Sequence, residues 1–278
     1  MGYRFPRPGA VLRFVVLERL CSPTVTIDML AYKYRTGILV LITASANVAM
    51  LFFGRIPQDP SYHLFADTRE IAGIRNFWNV LSNFSFLLVG LYGLWRRPHL
   101  TERKSSSAYT ALCIGGLLIS IGSAYYHYAP STSSLIWDRL PMTVAFMALF
   151  SLLLDERVIL SSRSRTLWPL LATGIGAAAY WYWTEARGFG DLRPYALVQF
   201  LPIVLIPTIL LLFHGNYLNS PLLVSALVFY FIAKLFEHFD RQVLESIGVL
   251  SGHTIKHLLA GIAVLCIILA VPIRKAER

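Results

Sequence analysis

Long apolar runs separated by short polar segments organise the chain. Eight stretches stand out: Ile38 to Gly54, Phe77 to Trp95, Ala108 to Tyr126, Leu140 to Leu154, Leu167 to Trp183, Tyr195 to Phe213, Pro221 to Phe236 and Leu258 to Ile273. A helix rises about 1.5 Å per residue, so about 20 apolar residues cross a hydrocarbon core about 30 Å thick. The fourth and seventh runs are short and extend into their flanks. The pattern predicts an all-α, polytopic membrane protein. Composition agrees: of 278 residues, 56% are hydrophobic and 14% charged, far from a soluble domain of this length.

A net charge of +10 invites a nucleic-acid reading, but the distribution of the charge excludes it. Lys and Arg concentrate in residues 1–35, in the 96–107 and 155–166 loops and in the tail after Ile273, 16 in all. The opposite loops hold eight, and Lys234 lies within a run. By the positive-inside rule both termini are cytoplasmic. The basic N-terminus has the look of a signal sequence, yet no small-residue cleavage site follows the first run, which is therefore read as a retained span. Residues 1–35 are read as a basic cytoplasmic segment, poorly ordered or amphipathic, 36–55 as an additional transmembrane helix and 56–76 as an outer-side loop. Cys21, Cys113 and Cys266 have neither CxxC nor Cys/His ligand spacing, so neither a disulfide framework nor a thiolate metal site is indicated.

The topology sorts the polar residues of the spans by depth. "GSAYYHYAP" closes the third run with Ser123 and His127 one helical turn apart. "IWDRLPM" opens the fourth at the same face with Asp138. "FEHFDRQ" closes the seventh with Glu237, His238 and Asp240, and "SGHTIKH" opens the eighth with His253 and His257 at i, i+4. Each has a plainer reading. Asp138 before Leu-Pro suits a helix N-cap, a single His at a helix end is commonly an interfacial residue, and Lys234 pairs locally with Glu237 or snorkels. Polar groups in lipid are costly, however, and their delivery to one layer by separate helices points to a shared purpose, with metal binding by the histidines foremost.

Three blocks, "NFWNVLSN" at 76–83, "GSAYYHYAPSTSSLIWDRLPM" at 122–142 and "GHTIKHLLAG" at 252–261, together resemble the alkaline ceramidases. They also resemble the wider superfamily that joins these to adiponectin/progestin-type receptors and GPI-lipid remodelling proteins. The resemblance implies a seven-transmembrane-helix core over 77–273, with the 36–55 helix additional to it. It implies zinc held by His127, His253 and His257, with Asp138 and Ser123 at the open coordination position. It further implies a calcium site before the first core helix, where Asp67, Glu70, Asn76 and Asn79 are the available residues; Asn76 stands where the family has an acid. Glu237 and Asp240 are candidates for orienting the ligating rings or for calcium.

Three imidazoles leave a fourth position on zinc, the arrangement of a catalytic site. Asp138 would act as general base and Ser123 as hydrogen-bond donor to a developing oxyanion. The expected function is zinc-dependent intramembrane hydrolysis of the amide of a ceramide-like N-acyl lipid, which enters from the bilayer and leaves as a fatty acid and an amine, with the site near the non-cytoplasmic face. The alternatives are a receptor-like or structural seven-helix protein with non-catalytic zinc, and a lipid-remodelling esterase.

Overall fold

The computed structural model describes residues 23–102, 106–159 and 165–274; the basic segment before Pro23 and Cys21 within it lie outside the described residues. Residues 1–45 and 46–278 are two compact units. In the first, the described residues are helical from Pro23, so helix α1, Pro23–Phe52, begins well before the 36–55 stretch expected from the apolar run alone. No charge falls between Thr36 and Phe53 to interrupt it.

The second unit is a helical bundle without a sheet among the described residues. Its helices are α2 (Phe77–Leu81), α3 (Phe84–Arg96), α4 (Ser106–Tyr128), α5 (Thr132–Leu153), α6 (Leu167–Ala186), α7 (Arg193–Leu212), α8 (Ser220–His238), α9 (Asp240–Ile247) and α10 (Gly252–Ala270). With α2 and α3 counted as one span, these give the seven-helix core. Seven stretches, α1 among them, meet the length and apolarity of a membrane span. The 20-residue α6 falls below that apolarity because Tyr180, Trp181, Tyr182 and Trp183 crowd its end, yet it carries no charge before Glu185. Trp168, Leu211, Phe231 and Ile121 are largely exposed, an arrangement that suits lipid and not water.

The sequence sets the ends of the helices. Ser131 caps α5 in a capping box with Ser134, so the helix starts before Asp138, which sits inside it. The N-cap reading of Asp138 is thereby overturned: Ser131 supplies the cap, and Asp138 is free to point into the bundle. Ser251 caps α10 by accepting from Thr254 N. At the opposite end, Arg96 donates to the carbonyls of Ile268 and Val271, closing the C-terminus of α10.

Two glycines let helices approach closely where function gathers. Pro141 lacks the N–H that would bond the Trp137 carbonyl one turn back. That carbonyl faces Gly122 of α4, where an added Cβ would stand 1.9 Å from it. The contact brings their neighbours, Ser123 and Asp138, together. Likewise a Cβ on Gly252 would lie 2.0 Å from the Phe236 carbonyl, so α10 starts directly against the end of α8. The main packing runs from α8 to α10, on through α3 and α4 to α5, and then to α6 and α7.

Gly122→Ala therefore forces α4 and α5 apart and lowers stability by about 1–3 kcal/mol. Thermal unfolding in detergent reads this, with Gly176→Ala, whose added methyl would meet nothing within 4 Å, expected to melt as wild type.

Candidate metal centre

The end of α4, the second turn of α5 and the start of α10 meet in one buried layer. His127, His253 and His257 are almost fully buried. One ring nitrogen from each lies within 4.8 Å of the others, and these three could hold a metal ion. His127 Nε2 and His253 Nε2 are 3.3 Å apart. A tetrahedral ion with metal–nitrogen bonds of about 2.0–2.1 Å places its donors about 3.3–3.4 Å apart. The donor set is thus chemically and geometrically suited to a borderline-soft divalent cation.

The rings are fixed from behind. Ser82 Oγ donates its single proton to the Asn79 carbonyl at 3.1 Å. It therefore accepts, at 2.8 Å, from His257 Nδ1–H. That hydrogen bond selects the tautomer whose Nε2 lone pair is bare, the form a metal requires. Asn79 Oδ1 in turn accepts from Thr254 Oγ1 at 2.7 Å and from Ser251 Oγ at 3.4 Å, locking α2 to the first turn of α10. Asn76, in the left-handed conformation, donates to the His127 carbonyl at 2.7 Å and so caps the end of α4.

The 56–76 loop closes over the layer. The Phe65 ring lies 4.7 Å from that of His127 and 4.8 Å from that of His253. Asp240 holds the loop down, accepting from Ala66 N at 2.9 Å and from His253 N at 2.7 Å. His63 bridges Tyr126 and Thr132, joining α4 to α5. Asp67 is gripped by Arg69, which also reaches the Val249 carbonyl. Burial would raise the Asp67 pKa, but the Arg69 hydrogen bonds outweigh it and hold the carboxyl below the usual carboxylate range. This clamp is complete at neutral pH and is lost only as pH falls through that lowered value.

Ser123 and Asp138 lie beside the histidines, the Ser123 hydroxyl facing the Asp138 carboxylate. With Tyr62 and His257 they line one end of a cavity of about 170 Å³, room for many waters or a chain of methylenes. Lys234, Glu237, Lys256 and Gln199 also reach it; the rest of its wall is apolar, from Leu112, Met142, Phe146, Ile206 and Leu227 among others, and lies between α3, α4, α5, α7, α8 and α10.

The expected residues divide clearly. Ser123, His127, Asp138, His253 and His257 come together. Glu237 pairs with Lys234 and Lys256, not with a histidine ring, and His238 is exposed at the end of α8. Asp240 positions His253 through its backbone. The calcium expectation finds no support: Asp67 is consumed by Arg69, exposed Glu70 faces Arg75 at 3.9 Å, and Asn76 and Asn79 are spent on helix ends. Sequence reasoning missed Ser82, Phe65, His63 and the inward reach of Lys256. Ser82 was within the quoted "NFWNVLSN" block, one turn after Asn79, and that spacing was the available signal.

A sequence model of the family described as Ceramidase matches residues 70–277, well over half of the chain. No curated protein and no solved structure matches.

Ser82→Ala leaves His257 Nδ1 without its acceptor and should weaken divalent-metal binding about 10- to 100-fold, read by competition against a chelator of known affinity. His127→Ala should abolish binding in the same assay.

Proposed function

This chain belongs to the ceramidase family, and from that membership we propose that it hydrolyses the amide bond of an N-acyl lipid within the membrane, using zinc held by His127, His253 and His257. Membership supports a lipid amide hydrolase. The observation that carries the finer reading is the convergence of three buried imidazoles, one with its tautomer set by Ser82, with Asp138 and Ser123 at the polar end of a largely apolar cavity.

When bound, zinc would supply Lewis-acid polarisation of the amide carbonyl and make water a competent nucleophile near neutral pH. The remaining work falls to the chain. Asp138 takes the proton of the attacking water and passes it to the departing amine nitrogen, so one carboxylate serves as base and then as acid. Ser123 has one hydroxyl proton, directed at Asp138 in the resting arrangement. Once Asp138 carries a proton it can donate to Ser123, and the serine proton becomes available to the oxygen of the tetrahedral adduct. Phe65 and the loop held by Asp240 exclude bulk water, which strengthens each of these interactions.

A lipid substrate fits the walls. Helices α7 and α8 both line the cavity, yet α8 packs chiefly on α10 and α7 on α5 and α6. The seam between α7 and α8 offers a lateral route for an acyl chain from the bilayer. The loop charge bias supports cytoplasmic termini and a site near the non-cytoplasmic face.

Stripping zinc with a chelator, or His253→Ala, should abolish release of fatty acid from N-acyl lipids, and Asp138→Asn should lower kcat by about 10²–10⁴-fold. Mass spectrometry of lipid extracts incubated with wild type and Asp138→Asn reads both. Release of an amine identifies an amidase, and release of an alcohol would replace this reading with ester hydrolysis.

A further inference from the structure

The polar end of the cavity carries a charge arrangement that amide hydrolysis does not use. Lys256 Nζ lies 2.9 Å from Glu237 Oε1 and 3.1 Å from His253 Nε2. The other oxygen of Glu237 is taken by Lys234. Two ammonium groups from different helices thus share one carboxylate, and all three side chains line the cavity. Lys256 and Glu237 are about four-fifths buried. Asp138, the other acid of the cavity wall, acts on Lys256 only through space, with no ion pair or hydrogen bond between them, and is needed as a proton acceptor.

His253 Nε2 has a single lone pair. A metal held at that nitrogen claims it, and the Lys256 N–H now directed there is released. This buried ammonium, whose one contacting carboxylate is shared with Lys234, then needs a second acceptor. We propose that Lys256, backed by Lys234 through Glu237, selects N-acyl lipids whose head group carries an anion, a carboxylate or phosphate, over those with a neutral hydroxylated head. The proposal rests on the amide-hydrolase reading for the identity of the lipid, and adds the chemistry of its head. A neutral hydroxyl can meet the hydrogen-bonding demand but leaves both lysines in contact with a single carboxylate.

The test compares lipids matched in chain and amide: N-palmitoylglycine, N-palmitoylethanolamine and the phosphate ester of the latter. The full-length zinc-loaded protein is reconstituted in nanodiscs. Hydrolysis gives the ratio of kcat/KM values, and displacement of a fluorescent acyl probe from Asp138→Asn gives the ratio of affinities without turnover. The expected preference for the carboxylate or phosphate lipid is about 10- to 100-fold. Lys256→Gln should bring it close to parity, while Lys256→Arg keeps it; Glu237 retains Lys234 in both, so neither variant strands a buried carboxylate. Lys234→Gln should reduce the preference in part.

Equal handling of charged and neutral lipids by wild type overturns the proposal while leaving the amidase intact. So does a preference that survives Lys256→Gln and Lys234→Gln. Palmitate, included as an anion without an amide, should bind more weakly than N-palmitoylglycine; if it binds as tightly with the same dependence on Lys256, the lysines serve the acid product and the head-group proposal falls. Absence of turnover on every lipid, with the binding preference intact, would instead overturn the amidase reading and support the selectivity.

Discussion

Three imidazole nitrogens are held within 4.8 Å of one another where water cannot hydrate them, and the rest of the bundle end is arranged around that constraint. A buried imidazole must have its donor and its acceptor satisfied, or it costs free energy comparable to several good contacts. The chain meets this at His257 with a hydroxyl and, among the described residues, sets no carboxylate against a ring, while His127 Nδ1 keeps no hydrogen-bond partner. Ser82 fixes His257, Asp240 holds the backbone of His253, and Asn76 closes the turn that carries His127. The choice matters chemically. A carboxylate against each ring would add negative charge next to the metal position, whereas neutral partners leave a bound divalent cation with its full charge to polarise a carbonyl.

Close helix approach is the second requirement, because short side chains such as Ser123 and Asp138 reach only about one turn. Gly122 and Gly252 meet it by removing side chains at two crossings. Pro141 contributes by freeing the carbonyl that Gly122 receives. In lipid, where no hydrophobic drive presses helices together, such small-residue contacts carry much of the packing. The geometry of the site and the stability of the bundle therefore depend on the same two crossings.

Much of this was legible in the sequence. The apolar runs gave the spans, because a bilayer demands uninterrupted length, and the i, i+4 spacing of His253 and His257 placed both on one face of α10. Topology put His127 and Asp138 at the same depth, but that their helices pack against α10 is read only from the fold. Other features were hidden for physical reasons. The N-cap of α5 was misread because "DRLP" and "STSS" are both capping patterns, and only tertiary packing decides that Ser131 begins the helix. Phe65 and His63 lie in a loop whose path depends on long-range bonds such as Ala66 to Asp240, which no local pattern encodes. Ser82 acts only through a partner 175 residues away. The acids at 67 and 70 suggested calcium by type and position, but their fate was set by Arg69 and Arg75, neighbours in sequence whose charge was visible and was weighed only as topology.

Lys256 exposes the same difference between charge as address and charge as chemistry. As one positive residue on the less basic side, it counts only weakly in orienting the chain. In the folded bundle it sits between His253 and His257 on α10, with its ammonium turned back to Glu237 on α8. A lysine at this place has a cost, since it repels a bound cation and must be desolvated. Glu237 offsets part of that cost, but Glu237 is already shared with Lys234. Were Lys256 there only to pair Glu237, the local Lys234 would have sufficed, three residues away on the same helix. A second ammonium beside the reacting end of an acyl-chain cavity is better accounted for by a negative charge that arrives with the ligand than by any contact within the chain.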